Sequence, residues 1–372
     1  MIYFDNAATS FPKPPSVIKE VEFCLKKYCG NPGRSSHRLS LKASEEIYSV
    51  RERVADLISV DHPEQVVFTY NATHALNLAI KSFITHKCHI LTSDFEHNSV
   101  IRPLERLKKD IGIEYSSFNS DGDIEANILN AIREDTEGIV CSIASNVCGD
   151  HIPLPILSKV AQNKKLFLII DASAAIGHYE INLENTPCDV LCAPGHKALF
   201  GIQGSGFAYF KDNLRKEGLI EGGSGSDSRN LYMPYLLPEG YEAGTLSTPA
   251  IVSLGEGIRV IEHIGLNEIN EKLLSLTRAM EDRLSSINEI KLYKSGCGLI
   301  SFNIRNLSSS YVSKLLDDYG ICVRGGLHCA PTIHRKMGTL ETGAVRISFS
   351  YFNNLRQIDR VYRVISDISK TI

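Results

Sequence analysis

EGIVCSIASNVCGDHIPLPILSKVAQNKKLFLIID, residues 137–171, places short apolar segments on either side of one amphipathic segment. EGIVCSIAS and KLFLIID predict strands, and LPILSKVAQNK between them predicts a helix. A strand, a helix and a strand in this order favour two parallel strands joined by a crossover. Because the strand interiors are apolar throughout, we expect both faces of the sheet to be covered. The stretch therefore predicts an α/β fold with a mostly parallel sheet.

The same alternation extends to both sides of this stretch. Further strands are predicted at QVVFT, CHILTS, CDVLCA and GSGFAYF, and helices at KASEEIYSVRERVADLI, NATHALNLAIKSFI and SVIRPLERLKKD. After about Pro249 the pattern changes to two long helices and then a small α+β region. We therefore expect a large domain over residues 15–250 and a small domain built from residues 1–14 and 251–372.

Composition limits the classes of function. The 372 residues include 40 Lys and Arg against 43 Asp and Glu, a net charge of −3, so neither nucleic acid nor a membrane is a predicted partner. MIYFDNAATSFPKPP lacks the basic and apolar regions of a signal peptide, and no apolar run could span a bilayer. We therefore expect a cytoplasmic protein. The 10 cysteines show no CxxC pair or other zinc spacing, and no metal site is predicted.

Two charged residues follow predicted strands, at the sheet edge where ligands of α/β proteins bind. Asp171 ends an apolar strand, and a buried carboxylate needs a cationic or N–H partner. Lys197 follows a strand in a Gly-rich segment, and a partly buried lysine can lose its proton and form an imine. Taken singly, Asp171 also fits a cap of the next turn, and Lys197 fits an ordinary surface lysine.

Weaker signals come from the other strand ends. Ala72 and Thr73 open a predicted helix, whose free N–H groups either seat a phosphate or simply form an N-cap. His97 lies just past a strand, where a ring can stack on a flat cofactor and carry protons, or be an ordinary loop residue. Asn146 is either a hydrogen-bond donor to a ligand or a turn residue.

The segment YGICVRGGLHCAPTIHRKMG, residues 319–338, contains two cysteines in different settings. Cys322 lies in an apolar strand pattern and fits a structural thiol facing a core, whereas Cys329 lies among polar residues in a Gly-rich loop. Arg324 and Arg346 could grip a carboxylate together. Groups near in sequence that could lower the pKa of the Cys329 thiol are Arg324, His328 and His334.

Taken together and in their order along the chain, the strand ends and loops described above resemble those of the cysteine desulfurase and selenocysteine lyase family. This family belongs to the class V aminotransferase-like enzymes that use pyridoxal 5'-phosphate (PLP). The resemblance covers essentially the whole chain. It implies a PLP-dependent transferase fold like that of aspartate aminotransferase, a homodimer, and the branch with a short, ordered cysteine loop. The segments that carry it are YFDNAATS, FTYNATHALN, EHNSVIRP, SNVCGDHIPL, DASAAIGH, GHKALFG, YEAGTLSTP and RGGLHCAP, of which those with GHK and RGGLHCAP are most specific.

The resemblance also implies roles for single residues. Lys197 would bind PLP covalently, Asp171 would pair with its pyridine nitrogen, and His97 would stack on its ring and take part in catalysis. Asn146 would donate to the phenolic oxygen, and Cys329 would accept the sulfur. The substrate carboxylate would be bound by Arg346 and Arg324. The phosphate would be bound by Ala72, Thr73 and His196, with Thr245 reaching it from the neighbouring subunit.

The sequence departs from the family pattern at two positions. Ala174 stands where the family usually has Gln or His, which assists the phenolic oxygen. Pro194 stands where Ser or Thr commonly helps to bind the phosphate. Each departure removes a possible hydrogen bond to the cofactor, so we expect weaker PLP binding than is usual in the family.

The reaction that the resemblance implies is conversion of L-cysteine to L-alanine, with a persulfide formed on Cys329 and passed to a sulfur-acceptor protein. One alternative is a selenocysteine lyase, which differs in its preferred chalcogen. Another is a different class V aminotransferase or lyase, which would leave Cys329 without a role. A third is a non-catalytic binding protein on the same fold, against which Lys197 and Asp171 argue.

Overall fold

The computed structural model describes residues 1–33, 36–212, 219–225, 229–305 and 307–371. The helices are α1 (Pro15–Lys27), α2 (Arg38–Leu57), α3 (Ala72–Phe83), α4 (Asn98–Ile111), α5 (Ile124–Ala131), α6 (Leu154–Lys164), α7 (Thr248–Ile264), α8 (Leu266–Ser285), α9 (Ser309–Asp318), α10 (Pro331–Met337) and α11 (Leu355–Thr371). The strands are β1 (Ile2–Tyr3), β2 (Val66–Thr69), β3 (His89–Ser93), β4 (Glu114–Phe118), β5 (Thr136–Ser142), β6 (Phe167–Asp171), β7 (Val190–Pro194), β8 (Gly206–Phe210), β9 (Ile290–Leu292), β10 (Leu299–Ile304), β11 (Ile321–Cys322), β12 (Arg324–Gly326) and β13 (Ala344–Ser348).

The larger sheet has the strand order β2-β8-β7-β6-β5-β3-β4. Strands β7, β6, β5, β3 and β4 are parallel, whereas β8 is antiparallel to both of its neighbours. Successive residues of β5 enter different hydrophobic clusters, since Ile139 and Cys141 join one cluster and Val140 joins the other. Apolar side chains therefore cover both faces of the sheet. The predicted α/β fold with a mostly parallel sheet is confirmed.

Apart from the 13-residue helix α1, the elements that sequence patterns did not reveal are short or polar. Strand β4 lies at the edge of the larger sheet, and of its five residues only Phe118 is buried, so it lacks an apolar pattern. Helix α5 has 8 residues and α10 has 7, which is too short for a clear helical period. Strand β9 has three residues, none of them fully buried.

The smaller sheet contains the C-terminal strands in the order β12-β13-β10-β9, with every neighbouring pair antiparallel. Helices α8 and α9 pack against its strands. Strand β1 pairs with β11 in parallel, and Asp5 forms an isolated bridge with Ser348. The N-terminal residues therefore pack against the C-terminal region. The division into two domains at about residue 250 stays a prediction.

One hydrophobic cluster extends from the larger sheet to the smaller one. It contains Leu168 and Phe207 from the larger sheet, Ile300 and Ile347 from the smaller sheet, and Ile365 from α11. Complete burial of a side chain of this size stabilises a fold by about 1.5–3 kcal/mol. Of the helices within the described residues, none is long and apolar enough to cross a membrane.

A buried ion pair connects α2 to the segment that precedes α7. Arg51 Nη1 and Nη2 donate to the two carboxylate oxygens of Glu242 over 2.8 and 2.9 Å, and both residues are less than a tenth exposed. Glu242 also accepts a hydrogen bond from the backbone N–H of Phe68. The Arg51 guanidinium lies 4.6 Å from the centre of the Phe68 ring. The pair thus fixes β2 and the segment that contains Thr245 in relation to each other.

Replacement of Arg51 by methionine should destabilise the fold, because it leaves the Glu242 carboxylate buried without its partner. We expect the free energy of unfolding to fall by about 3–5 kcal/mol, measured by urea unfolding followed by circular dichroism. The matched control is Arg53→Met on the same helix, which removes a more exposed pair with Glu262 and should cost less than about 1 kcal/mol. Equal losses in the two variants would contradict the assignment.

Candidate active site

Most of the predicted site residues line one cavity of about 200 Å³. The cavity lies where β3, β5, β6 and β7 end, as expected for a parallel sheet. Its wall also includes residues of the smaller sheet and of the N-terminal segment. Thr245 and Cys329 are not part of the wall. The predicted residues that line it are Ala72, Thr73, His97, Asn146, Asp171, His196, Lys197, Arg324 and Arg346.

Lys197 projects from the loop that follows β7. Gly195 opens this loop, and a side chain there would meet the Ser205 hydroxyl at 2.3 Å, so the turn requires glycine. Burial lowers the pKa of Lys197 from 10.5 to about 8, and the opposing effect of the Asp171 carboxylate is smaller. The amine has no hydrogen bond or ion pair with any residue that the structure describes. Near neutral pH a minor fraction of Lys197, about a tenth at pH 7, is therefore the uncharged nucleophile, far more than for a lysine with an unshifted pKa.

Asp171 and His97 are fixed at neighbouring strand ends. Asp171 is the last residue of β6 and is 4% exposed, and its Oδ1 accepts a hydrogen bond from Ser173 N over 2.9 Å. Its carboxylate forms no ion pair within the described part of the chain. His97 caps α4, with Nδ1 accepting from Ser99 N over 3.0 Å, and burial lowers its pKa. The ring is therefore neutral, with its hydrogen on Nε2.

The start of α3 supplies a seat for an anion. Asn71 caps the helix by accepting from His74 N over 2.9 Å, which leaves the N–H groups of Ala72 and Thr73 free of helix partners. Thr73 Oγ1 lies 2.7 Å from Ser99 Oγ, which fixes the hydroxyl at the cavity wall. Free N–H groups at a helix N-terminus favour a phosphate. Asn71 thus forms an N-cap, and the binding of a phosphate by Ala72 and Thr73 stays a prediction.

The two arginines lie on neighbouring strands of the smaller sheet, where Arg324 of β12 is the register partner of Arg346 of β13. Arg346 is buried, and its Nη2 donates to Asp5 Oδ1 over 2.7 Å and its Nη1 to the backbone oxygen of Asn146 over 3.0 Å. Asp5 was missed as a site residue, although it lies in the N-terminal segment of the resemblance. It orients Arg346 across the boundary between the N-terminal segment and the smaller sheet. Arg324, which is less buried, keeps its guanidinium available to the cavity and its rim.

Cys329 lies at the rim, in the loop between β12 and α10, and is exposed. Its Sγ is 3.8 Å from Arg324 Nη2. The loop is held by two bonds to the larger sheet's loops: the Cys329 carbonyl accepts from Asn98 N over 2.7 Å, and the His328 carbonyl accepts from Asn146 Nδ2 over 2.8 Å. The thiol therefore has a defined position beside the cavity.

Two of the groups expected to lower the pKa of the Cys329 thiol do not carry charge. His328 and His334 are buried, and burial lowers their pKa values to about 2 and about 4. His328 Nε2 bonds to the Ala344 carbonyl, and His334 Nδ1 to Thr339 Oγ1. The expectation was wrong for both histidines, because neighbours in sequence differ in burial. Arg324 remains as the cation beside the thiol.

Neither Cys322 nor Thr245 is buried. Cys322 is partly exposed at the end of the two-residue strand β11, so the prediction of a core-facing thiol was wrong. Thr245 is exposed and lies outside the cavity of its own chain. A role at the phosphate would therefore require a second subunit.

The two departures from the family pattern lie at the cavity wall. Pro194 ends β7 and offers neither a hydroxyl nor an N–H group. Ala174 borders both the main cavity and an adjoining cavity of about 50 Å³ that includes Phe200, Leu273 and Phe349. A small residue at position 174 therefore leaves space where a longer side chain would donate a hydrogen bond.

A family model described as aminotransferase class V matches residues 2–361. The chain belongs to the class V aminotransferase family. A probable cysteine desulfurase of Methanothermobacter thermautotrophicus is 30% identical and covers 99% of this chain and 94% of its own length. A cysteine desulfurase of Yersinia pestis is 29% identical, with 100% and 94% covered. The apo structure of a cysteine desulfurase from Thermococcus onnurineus NA1 superposes with a TM-score of 0.93, at 30% identity, covering 100% of this chain and 95% of that one.

Enzymes of the class V aminotransferase family depend on PLP, and the cavity of this chain fits that cofactor. Within the described residues, buried polar atoms of the cavity residues lack partners, namely His196 Nδ1, His328 Nδ1 and Arg346 Nε. The free amine of Lys197, the unpaired carboxylate of Asp171 and the helix N-terminus at Ala72 match an aldehyde, a protonated ring nitrogen and a phosphate. PLP is therefore the cofactor of this chain.

Uptake of PLP by the cofactor-free protein should depend on the uncharged form of Lys197. Because its pKa is lowered to about 8, the rate should rise with pH and level off above about pH 8. The appearance of visible absorbance after stopped-flow mixing measures this rate. A rate that keeps rising towards pH 10.5, the pKa of an ordinary lysine, would contradict the assignment.

The covalent site is checked separately. Borohydride reduction followed by peptide mapping should place PLP on the Lys197 peptide of the wild type and of the exposed-lysine control Lys164→Ala, and on no peptide of Lys197→Ala. PLP trapped at another lysine would show that the site is elsewhere.

Proposed function

We propose that the chain is a PLP-dependent cysteine desulfurase that converts L-cysteine to L-alanine and passes the sulfur to an acceptor protein. The observation that carries this proposal is the place of Cys329, whose thiol lies beside Arg324, itself part of the cofactor cavity. An aminotransferase has no use for an exposed thiol at this rim. Relatives named cysteine desulfurase that cover nearly the whole chain give independent support.

When bound, PLP supplies an electron sink for charge that develops at the substrate Cα. Asp171 would favour the protonated ring nitrogen, and His97 would stack on the ring as a neutral imidazole. Lys197 has a lowered pKa that suits it to take the proton from Cα and later return one. Arg346, oriented by Asp5, and Arg324 would bind the substrate carboxylate. Asn146 Nδ2 gives one hydrogen to the His328 carbonyl and would have its second hydrogen for the phenolic oxygen of the cofactor.

In the sulfur step, the Cys329 thiolate attacks the sulfur of the substrate. The new S–S bond leaves a persulfide on Cys329, and the Cβ–S bond breaks. The electron pair of that bond stays with the carbon fragment, which takes up a proton and leaves as alanine. The Arg324 guanidinium, with Nη2 3.8 Å from the Cys329 sulfur, places a positive charge beside the attacking group. Exposure of Cys329 gives an acceptor thiol access to the persulfide.

We also propose that the enzyme works as a homodimer in the cytoplasm. Thr245 is exposed and outside its own cavity, as expected for a residue that binds the phosphate of a neighbouring subunit. Earlier in the same connection between β8 and α7, the large apolar side chains Leu231, Tyr232 and Leu236 are 97%, 76% and 70% exposed, which favours cover by a second copy. All 10 cysteines lie in the described residues and are free thiols, as in a reducing compartment.

Replacement of Cys329 by serine should abolish the release of sulfur from L-cysteine while PLP stays bound, because the nucleophile is lost and the cavity is not. Cys322→Ser, also in this region, should keep activity within about two-fold of the wild type. Mass spectrometry after brief exposure to cysteine should find the added sulfur on the Cys329 peptide alone.

The same assay separates the alternatives. Full desulfurase activity in Cys329→Ser would sink the assignment, and wild-type preference for selenocysteine over cysteine would favour a selenocysteine lyase. Transamination of cysteine without sulfide release would favour another class V enzyme.

Action of Thr245 across the subunit boundary can be tested with a mixed dimer. Thr245→Val alone should weaken PLP binding by about ten-fold, as expected for loss of a hydrogen bond to a charged group. A purified mixed dimer of one Thr245→Val subunit and one Lys197→Ala subunit should regain one tight site. No regained tight site would place the effect of Thr245 within its own chain, and an active monomer would refute the dimer.

A further inference from the structure

Residues 9–13 of the N-terminal segment donate hydrogen bonds to the backbone carbonyl of His196, the residue before Lys197. The His196 oxygen accepts from Ser10 N over 3.1 Å and from Lys13 Nζ over 2.8 Å. It also accepts from Thr9 Oγ1 over 3.0 Å and from Ser10 Oγ over 3.2 Å. A carbonyl oxygen offers two lone pairs, so the four donors share it, and the charged Lys13 donor at 2.8 Å makes the shortest of these hydrogen bonds.

Lys13 contributes the charged donor of this group. Its ammonium also donates to Ser10 Oγ over 2.8 Å. Lys13 is half-buried and has no carboxylate partner within the described residues. Burial lowers its pKa to about 8. A cation removed from water without a counter-charge needs strong acceptors, and the His196 carbonyl is the main acceptor available.

The N-terminal segment has its other end fixed at the opposite side of the cavity. Asp5 binds Arg346, and Asn6 Nδ2 donates to the Ser348 carbonyl over 3.0 Å. Between these contacts and Lys13, Ala7 and Ala8 form part of the cavity wall. The segment therefore connects the arginine side of the site to the backbone of the cofactor lysine.

We propose that Lys13 is a positioning residue that fixes the His196–Lys197 peptide and thereby aims the Lys197 amine into the cavity. The amine must approach both the cofactor aldehyde and the substrate Cα, and misplacement by about 1 Å can cost about a hundred-fold in rate. The hydrogen bonds of Thr9 and Ser10 keep the peptide near its place, while the charged bond of Lys13 fixes its orientation. This proposal rests on Lys197 as the cofactor lysine.

The test compares Lys13→Met, Lys13→Arg and the exposed-lysine control Lys19→Met, and it uses PLP as the probe. In Lys13→Met, stopped-flow uptake of PLP by the cofactor-free protein should slow by about ten-fold, the effect of one lost charged hydrogen bond. The pH at which uptake levels off should stay near 8, because burial and not Lys13 sets the pKa of Lys197. In the loaded enzyme, kcat for cysteine should fall with little change in KM.

Lys13→Arg keeps a charged donor and should restore uptake to within about three-fold of the wild type, and Lys19→Met should match the wild type. Uptake in Lys13→Met equal to that in Lys19→Met would overturn the proposal. Slow uptake that Lys13→Arg does not restore, together with a lowered unfolding temperature, would show a purely structural role and also overturn it. A wild type that takes up no PLP would overturn the proposed function itself, an outcome distinct from normal uptake in Lys13→Met.

Discussion

Burial of the Lys197 amine is the constraint on which the site depends. Removal from water lowers the pKa of this lysine, and the positive charges of Arg346 and Arg324 act in the same direction. The Asp171 carboxylate opposes them, so the lysine stays near the point where protonated and free amine are both populated. Four strand ends of the larger sheet, the smaller sheet and the N-terminal segment must all close on one cavity to create this environment.

The N-terminal segment is the part of the chain that joins these walls. Its first strand pairs with β11, its Asp5 orients Arg346, and its residues 9–13 surround the carbonyl before Lys197. Fourteen residues in an N-terminal position would ordinarily be the least constrained part of a domain. Here they are held by hydrogen bonds to the smaller sheet and to the loop after β7, so the segment YFDNAATS shapes the site without supplying a nucleophile.

The sequence predicted the elements with strong apolar periods, and it predicted Asp171 and Lys197 because each ends or follows a buried strand. It missed β4 and α5, which are polar or short. It also missed Asp5, because its partner Arg346 is 341 residues away in the chain and no local pattern encodes such a contact. It was wrong about His328 and His334 for a related reason: burial, and not distance along the chain, decides whether an imidazole carries charge.

The cysteine loop combines backbone strain with exposure. His328 and Cys329 adopt φ values of +50° and +59°, a left-handed conformation that costs non-glycine residues about 1–3 kcal/mol each. Hydrogen bonds from Asn98 and Asn146 to their carbonyls, and from the His328 ring to Ala344, offset this cost and hold the loop. The result is a thiol that is exposed, yet fixed 3.8 Å from Arg324. This position suits the proposed role of Cys329, which needs access both to a substrate inside the cavity and to an acceptor outside it. Neither a buried cysteine nor a freely moving loop would provide both.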